Sequence, residues 1–453
     1  MIITLTNLLT LTPLNSLSCD LVEQIQDRLT FSNPAHEEAE RRGFSTWHIP
    51  QEIKGYRMKG DTLIIPRGFT PQLVGIIRGA GIQYQVEDRR RTLAPVDFQF
   101  LGELRDFQIE AAEAMAARDF GTLAAPTGSG KTVIALALIA RRKQPALIVV
   151  HTKELQDQWV DRIETFLGIS APEVGIIGNG KKQIGHKITV ALVQSLYKCA
   201  SEVAPFIGNL VVDECHRTPS RTFTECVTAF DCRYMLGLSA TPWRRDGLSR
   251  LIYWTIGDKA HEVDKAALVE AGYVLKADVT WRQTDFRPTY DPTTEYSKML
   301  SELTQDSARN ALIVSDVAQE ARNGKAGVCL VLSDRKAHCE ALRAALVARG
   351  VNASILTGDL GNGARQAVVE ALNSGHVKVL IATGQLIGEG FDCKALSTLF
   401  LATPIKFNGR LLQYLGRVLR PAPGKDRAKV YDYLDPVGVL KNAAKVRRRV
   451  YGD

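Results

Sequence analysis

The sequence has 453 residues and a mass of 49.9 kDa, which is long enough for about three domains. Hydrophobic residues make up 45% and charged residues 23%, which excludes wholesale disorder, collagen-like repetition and a small disulfide-stapled scaffold. The net charge of +8 is a mild indication of a polyanionic partner, and no stretch approaches the ~18 uninterrupted apolar residues of a membrane-spanning helix.

The eight cysteines are scattered without a CxxC pair, which predicts reduced thiols in a cytoplasmic protein and no zinc site. Charge is distributed unevenly along the chain. Residues 1–100 carry 11 Lys/Arg against 11 Asp/Glu, whereas residues 417–449 carry 10 against 3. The basic surplus therefore lies towards the C-terminus.

The first hundred residues mix helix-like segments, at 20–29 and 34–42, with a short strand-like run at 62–66. This pattern predicts a small N-terminal α+β accessory domain over 1–100. The segment Glu-Asp-Arg-Arg-Arg-Thr at 87–92 is predicted to be a solvated turn or linker.

From about residue 101, short apolar runs alternate with amphipathic stretches, as expected of buried parallel strands separated by helices. The first set of predicted strands lies at 121–125, 146–150, 188–193, 210–212 and 234–238. The second set lies at 327–332, 353–356, 377–381, 397–401 and 429–432. We therefore predict two doubly wound parallel-sheet α/β lobes, over 101–262 and 263–453, with a hinge or linker near the polar stretch 276–310.

Residues 125–132, Ala-Pro-Thr-Gly-Ser-Gly-Lys-Thr, lie between a predicted strand and a predicted helix, as a phosphate-binding loop requires. Gly128 and Gly130 allow successive backbone N–H groups to converge on a phosphate at a helix N-terminus. Lys131 would add a positive charge to the β- and γ-phosphates, and the Thr132 hydroxyl would bind Mg²⁺. Ala125 stands where the general pattern has glycine.

A second candidate segment, Val-Val-Asp-Glu-Cys-His at 211–216, closes another predicted buried strand. Asp213 could hold Mg²⁺ through water, and Glu214 could orient and deprotonate the attacking water. The two segments together predict a nucleotide-hydrolysing site.

The order of these and other segments resembles that of superfamily-two helicases and translocases with a DECH box, and more narrowly the XPB/UvsW/RadD-type branch. The resemblance covers roughly 101–436 and implies two RecA-like lobes. The matching segments are Leu-Arg-Asp-Phe-Gln at 104–108, the loop at 125–132, His-Thr-Lys-Glu-Leu at 151–155, Val-Gln-Ser-Leu at 193–196, the box at 213–216, Ser-Ala-Thr at 239–241, Thr-Gly-Asp at 357–359, 382–392 and 413–420.

This resemblance implies ATP and Mg²⁺ as cofactors and assigns roles to individual residues. Arg105 and Gln108 would contact adenine, Asp392 would bind the ribose, and Arg417 and Arg420 would be arginine fingers that act with Lys131, Asp213 and Glu214 in catalysis. The nucleotide would also contact Thr127, Gly128, Ser129, Gly130 and Thr132, with Thr132 and Asp213 on the metal.

The resemblance also implies a nucleic-acid track built from small polar residues at strand ends, which contact the backbone and read no bases. Its predicted residues are Thr152, Lys153, Gln194, Ser195, Ser333, Thr357 and Thr383. Coupling between nucleotide and nucleic acid is predicted to involve His216, Ser239, Thr241 and Gln413. The N-terminal domain would be a DNA-binding module or, alternatively, an autoinhibitory or protein-docking one.

The sequence is therefore identified as an ATP-dependent DNA helicase or translocase, moving 3′–5′ on branched or duplex DNA in repair, fork remodelling or defence. We expect it to be a monomer that could work with a nuclease or repair partner and has no membrane association. Two alternatives stay open: an RNA helicase, and an ATP-switched nucleic-acid-binding subunit of a larger complex.

Overall fold

The computed structural model describes residues 1–217, 221–240, 248–323, 327–358, 360–384, 393, 395–405, 408–421, 425 and 428–451. These residues form two compact units, Met1–Ala125 with Gly130–Val263 and Pro126–Ser129 with Asp264–Asp453. Each unit is built around parallel β-sheet with helices, as the alternation of apolar runs predicts. The α/β fold with two RecA-like lobes and a small N-terminal mixed-sheet domain is confirmed.

The N-terminal domain contains a five-stranded mixed sheet in the order β5-β6-β2-β1-β7 and a separate β3-β4 pair. Side chains in β1, β2 and β6 alternate between buried and more exposed positions, as in a sheet with one face on a core. The elements are β1 (Ile2–Leu5), β2 (Leu8–Thr12), α1 (Cys19–Arg28), β3 (Thr30–Ser32), α2 (Pro34–Arg41), β4 (Glu52–Lys54), β5 (Arg57–Lys59), β6 (Thr62–Pro66), α3 (Thr70–Gly79) and β7 (Gln85–Asp88).

The first lobe is an eight-stranded sheet in the order β11-β10-β12-β9-β13-β14-β8-β15, parallel except for the β10–β11 pair. Its central strands are buried on both faces. The elements are α4 (Asp106–Ala116), β8 (Phe120–Ala124), α5 (Lys131–Arg142), β9 (Ala146–Val150), α6 (Lys153–Leu167), β10 (Gly175–Gly178), β11 (Lys181–Lys182), β12 (Ile188–Leu192), α7 (Val193–Leu196), α8 (Ala200–Val203), β13 (Asn209–Val212), α9 (Arg221–Thr228), β14 (Tyr234–Ser239), α10 (Ser249–Ile256) and β15 (Lys259–Glu262).

The second lobe is a six-stranded parallel sheet in the order β16-β21-β20-β17-β19-β18. Its described elements are α11 (Lys265–Glu270), β16 (Ala277–Gln283), α12 (Tyr296–Gln305), α13 (Ser307–Arg322), β17 (Val328–Leu332), α14 (Lys336–Ala348), β18 (Ala353–Leu356), α15 (Asn362–Asn373), β19 (Val379–Ala382), β20 (Leu396–Leu401), α16 (Asn408–Val418), β21 (Ala428–Leu434) and α17 (Gly438–Tyr451).

The expectation of a linker near 276–310 is wrong for the residues that form regular elements. Residues 277–283 form β16, which pairs with β21 at the edge of the second sheet. Residues 284–295 are without helix or strand, and α12 begins at Tyr296. An edge strand needs to bury only part of its surface, so its side chains alternate in burial and the run is too polar to be recognised as a strand.

The hydrophobic core of the N-terminal domain includes a side chain of the first lobe. Trp254, in α10 of the lobe, is 4% exposed and packs among the apolar side chains of the N-terminal sheet and helices. Backbones also approach closely here, because a Cβ added to Gly68 would lie 2.0 Å from the carbonyl oxygen of Tyr253. The glycine at 68 is therefore required by contact rather than by a turn.

Three arginines add polar links across the same junction. Arg67 is fully buried and donates to the Cys232 carbonyl at 2.9 Å. Arg90 forms an ion pair with Asp119 at 2.7 Å, and Arg91 forms a bidentate ion pair with Asp231. The prediction of a solvated turn at 87–92 is therefore wrong for Arg90, whose side chain is only 5% exposed because it is enclosed by these partners.

Candidate functional site

The predicted nucleotide segments of the first lobe follow neighbouring strands. Strands β8, β14, β13 and β9 lie side by side and run parallel, with Ala124 opposite Ser239 and Val212 opposite both Gly237 and Val149. The loop at 125–132, Ser239, the acidic pair and the start of α6 therefore lie along one carboxyl edge of the sheet. In open parallel sheets this edge is where ligands bind.

The loop at 125–132 has the local geometry of an anion cradle. Gly128 and Gly130 have φ values of +92° and +81°, which side chains rarely adopt. The Ser129 hydroxyl closes the turn by donating to the Pro126 carbonyl at 2.7 Å, and α5 begins at Lys131. The Lys131 ammonium donates to the Ala125 carbonyl at 3.0 Å, so it lies folded over its own loop. Such a loop before a helix N-terminus suits a phosphate.

Gln108 is packed against this loop. Its side-chain oxygen accepts the backbone N–H of Arg105 at 3.0 Å and so caps the start of α4. A Cβ on Gly130 would lie 2.4 Å from the Gln108 amide nitrogen, so the glutamine side chain is in close contact with the loop. The structure thus brings Gln108 to the phosphate loop, with Arg105 at the start of the same helix, and the contact of both residues with adenine stays a prediction.

The acidic pair follows β13 and is held in a constrained geometry. Glu214 has φ +49°, a left-handed conformation that costs a side-chain-bearing residue about 1–3 kcal/mol. The two oxygens of Asp213 each accept one N–H at 2.9 Å: Oδ1 from the Glu214 backbone and Oδ2 from the indole of Trp159. Asp213 is therefore fixed in one orientation although nine-tenths buried.

The two carboxyl groups differ in their electrostatic environment. Burial, and next the charge of Glu214, raise the pKa of Asp213 above its ordinary value. Burial would also raise the pKa of Glu214, but the side chain of His216 and the ammonium of Lys131 outweigh it and hold that pKa at about 2. Glu214 is therefore an ionised carboxylate at neutral pH.

His216 connects the acidic pair to the neighbouring strand end. Its Nδ1 lies 3.1 Å from the Ser239 hydroxyl and 3.2 Å from Oε2 of Glu214. This placement is the one that a coupling role would need, although the role itself stays a prediction. Thr241 lies outside the described residues.

The predicted nucleic-acid residues of the first lobe also follow adjacent strands, β9 and β12. Thr152 caps α6, its hydroxyl accepting the N–H of Leu155 at 3.3 Å, and Lys153 is exposed at the first position of that helix. Gln194 and Ser195 lie in α7, with Gln194 exposed. The four residues thus share one edge of the sheet.

In the second lobe, Ser333, Thr357 and Thr383 follow the adjacent strands β17, β18 and β19. The backbone N–H of Thr383 donates to Leu356 and that of Ser333 to Ala382, so the three segments are tied together. Thr357 and Thr383 are half-buried. Their contact with nucleic acid stays a prediction.

Ser333, in contrast, is 1% exposed and its hydroxyl faces inward. It lies 2.9 Å from Nδ1 of His338, whose Nε2 lies 2.8 Å from Oδ1 of Asn310. The Asn310 amide is oriented because its nitrogen donates to the Thr304 carbonyl at 2.9 Å, which leaves Oδ1 as an acceptor towards His338. Nε2 of His338 therefore carries the hydrogen, and Nδ1 of His338 accepts from the Ser333 hydroxyl. The expectation that this hydroxyl contacts phosphate is therefore wrong for the conformation described here.

The predicted arginine fingers lie at the end of α16. Arg417 is in its last turn and Arg420 follows it, both half-buried. The ammonium of Lys425 donates to the carbonyls of Val418 and Arg420, the latter at 2.8 Å, and thereby binds the helix end. Gln413 lies in the same helix with its side chain outside the described part, and Asp392 lies outside it altogether.

Trp159 is a site residue that the sequence reasoning missed. It lies on the buried stripe of α6 with Gln156, Ile163 and Leu167, a spacing that indicates only core packing. Its contact with Asp213 depends on tertiary structure. Its one sequence signal is an indole, which needs an acceptor when buried.

In the described part of the chain, no group of three or more His, Cys, Asp or Glu side chains could together hold a metal ion. Asp213 and Thr132 nevertheless offer a carboxylate and a hydroxyl, the hard oxygen donors that suit Mg²⁺. Among the described helices, none is both long and apolar enough to cross a membrane.

Comparisons with known proteins find similar sequences for both lobes. The family model of the type III restriction enzyme res subunit matches residues 101–244, and that of the helicase conserved C-terminal domain matches 303–422. "Probable helicase D10" of Escherichia phage T5 is 26% identical over 397 residues, which cover 83% of this chain and 81% of that protein. The "DNA 3'-5' translocase XPB2" of Sulfurisphaera tokodaii is 39% identical over 155 residues, 34% of each chain.

Among solved structures, that of S. cerevisiae Dbp5 bound to RNA and ADP BeF3 superposes with a TM-score of 0.56 at 14% identity. It covers 78% of this chain and 89% of that one. At this identity the likeness concerns the fold alone.

Proposed function

The chain belongs to the superfamily-two helicases, with their ATPase domains, and we propose that it is an ATP-dependent DNA motor that moves 3′–5′ along one strand. The observation that carries the proposal is the alignment of the phosphate loop, the acidic pair and Ser239 along one edge of the first sheet. The similarity to a DNA 3'-5' translocase supports DNA as the polymer and the direction of movement.

In the proposed reaction each residue has a defined task. The loop N–H groups and Lys131 would bind the β- and γ-phosphates, and Thr132 and Asp213 would hold Mg²⁺, which when bound would supply Lewis-acid charge to the phosphates. Glu214, ionised at neutral pH, accepts hydrogen from the attacking water and orients it.

The arginines complete this scheme. Arg417 and Arg420 would stabilise the charge that develops on the transferred phosphoryl group, a contribution of ~10³–10⁵ in rate where it has been measured in other enzymes. Because the two arginines belong to the second lobe, hydrolysis would depend on how the lobes close. Cycles of closure would move DNA along the strand-end residues of both lobes.

Branched or duplex DNA in repair, fork remodelling or defence is the proposed substrate, with a nuclease or repair protein as a candidate partner. The hydroxyl and exposed polar side chains at the strand ends suit a sugar–phosphate backbone and lack the paired donors and acceptors that read bases. Binding is therefore expected to be weakly sequence-dependent and to weaken strongly with salt.

The test is the steady-state ATPase rate without polynucleotide and with single-stranded, duplex and forked DNA and with RNA. Strong stimulation by DNA, greatest with forks and abolished by Lys131→Ala, is the expected result. Stimulation by RNA alone would identify an RNA helicase instead. If the fold is intact and no polymer stimulates the ATPase, the alternative of an ATP-switched nucleic-acid-binding subunit would be favoured. Directional displacement of a 3′- or 5′-blocked strand would test the polarity of movement.

A further inference from the structure

We propose that Trp159 is a positioning residue for Asp213, whose indole N–H fixes the carboxylate in the orientation that binds the metal. The inference rests on the proposed function, since it takes Asp213 as a ligand of Mg²⁺. It assigns to a core tryptophan of α6 a part in metal binding that its sequence position does not reveal.

The geometry begins with the hydrogen bond itself. Nε1 of Trp159 lies 2.9 Å from Oδ2 of Asp213, the ordinary length of a good N–H···O bond. Trp159 is 2% exposed and Asp213 8% exposed, so water has little access to replace the indole. The indole nitrogen is only a donor, and it therefore pairs with a carboxylate oxygen without ambiguity.

The second oxygen removes the remaining rotational freedom. Oδ1 accepts the backbone N–H of Glu214 at 2.9 Å, so the two oxygens are held by two donors of different origin. Loss of the indole would leave only the bond from the adjacent residue, which cannot by itself prevent rotation about the Cα–Cβ bond. Each oxygen retains a lone pair for a metal or its bound water.

The helix that carries Trp159 is firmly attached to the sheet. One turn earlier, the Gln156 amide donates to the carbonyls of Ile177 and Val190, at 3.2 and 2.9 Å. Ile163 and Leu167 bury the next two turns on the same face. The indole therefore has a defined position from which to hold the carboxylate, as partners behind metal ligands generally do.

The experiment measures Mn²⁺ binding to the full-length protein saturated with ADP, by the loss of the free-ion electron paramagnetic resonance signal. The variants are Trp159→Phe, Asp213→Asn and, as the matched control, Trp254→Phe, which shortens another buried tryptophan within the N-terminal core. ADP affinity in EDTA is measured alongside.

We expect Trp159→Phe to weaken Mn²⁺ binding by about 10- to 100-fold, the range found when partners behind metal ligands are removed. Trp254→Phe and the metal-free affinity for ADP should stay at wild-type values. Unchanged Mn²⁺ affinity in Trp159→Phe, with a loss in Asp213→Asn, would overturn this proposal and leave the proposed function intact. Unchanged affinity in Asp213→Asn would overturn both the metal assignment and this proposal.

A folding defect in Trp159→Phe would be separated by replacing Trp159 with benzothienylalanine. That residue keeps the fused-ring shape and has sulfur in place of the N–H. The same loss of Mn²⁺ affinity with wild-type thermal stability would support the positioning role, and full Mn²⁺ affinity would contradict it.

Discussion

Glu214 combines two features that belong together at a reacting site. Its backbone is held at φ +49°, and its carboxylate stays ionised although buried. Both states are costly, and the charge is maintained by neighbours, chiefly His216 and Lys131. A residue kept in this way is expected to contribute to chemistry more than to stability.

Replacing Glu214 with Gln should therefore lower the ATPase kcat by about 10²–10⁴-fold, the range for loss of a general base. The substitution keeps size and removes the charge, so ATP binding should survive. Filter or fluorescence binding of labelled ATP, together with the kcat, checks both parts. A fall of less than about tenfold would show that the attacking water is oriented by another group.

His338 makes the second lobe sensitive to acid. Burial, and then the charge of Arg309, lower its pKa from 6.5 to about 4, so it is neutral in the native state. Between pH 6.5 and 4 the unfolded chain takes up a proton that the native chain does not. Stability is therefore lost as the pH falls through this window, by about 2–3 kcal/mol at pH 4.5.

Hydrogen exchange of the β17 amides at pH 7 and pH 4.5 measures this loss. His338→Gln, which can still accept from Ser333 and donate to Asn310, is the matched control because it does not titrate. Between pH 7 and pH 4.5, the free energy of unfolding of the wild type should fall by about 2–3 kcal/mol more than that of the variant. Equal losses would mean that His338 is accessible to protons in the native state.

At the scale of single elements, α13 packs its charged side chains against β21 and its neighbours. Three residues of one helix face, Arg309, Asp316 and Glu320, all of them buried, take part. The contacts are Arg309 with Asp435 at 2.8 Å, Asp316 with Arg282 at 2.9 Å and Tyr433 at 3.2 Å, and Glu320 with Lys429 at 2.9 Å. Each buried charge here has an opposite charge or a hydroxyl within reach.

The Arg309–Asp435 pair is the most deeply buried of these, with 1% and 0% side-chain exposure. Arg309→Met should destabilise the second lobe by about 3–5 kcal/mol, because it leaves the Asp435 carboxylate uncompensated. Adding Asp435→Leu should recover a large part of the loss. Denaturant unfolding, monitored by hydrogen exchange of the β21 amides, measures the free energy of unfolding of the wild type and of each variant.

An exposed pair in the same lobe provides the control. Lys298 lies 2.7 Å from Glu295, and both side chains are solvent-accessible, so Lys298→Met should cost less than about 1 kcal/mol. If Arg309→Met cost no more than Lys298→Met, the buried pair would be making no net contribution.

How far the sequence predicts the structure depends on the kind of element. Central strands such as β9, β13 and β20 are buried on both faces, so their apolar runs reveal them directly. The edge strand β16 does not have this signature, so its polar sequence predicts a linker instead of a strand. The phosphate loop and the acidic pair can be recognised in the sequence because the residues that form each of them are adjacent in the chain.

Contacts made at long range could not be found in this way. Trp159 and Asp213 are separated by 54 positions, and Arg90 and Asp119 by 29. A charged run such as 87–92 is usually solvated, and only the packing of Arg90 against the first lobe changes that expectation. Ser333 likewise matched a motif position, while the inward turn of its hydroxyl depends on His338 and Asn310.

At the scale of the whole molecule, the N-terminal domain is completed by a side chain from the first lobe. Trp254→Ala should destabilise the N-terminal domain by about 3–5 kcal/mol, because it opens a cavity in that core. Limited proteolysis and hydrogen exchange of β1 report on that domain. Trp47, which is 87% exposed in the same domain, is the control, and Trp47→Ala should change stability by less than about 0.5 kcal/mol.

The shared core also has a consequence for synthesis of the chain. Strand β7 ends at Asp88, but the core that the N-terminal sheet requires includes Trp254, about 170 residues later. At about 5–20 residues per second, the ribosome needs roughly ten to thirty seconds to supply it. During this time the apolar face of the nascent sheet lacks one of its covering side chains. The emerging chain is therefore expected to depend on chaperone protection until α10 has been made.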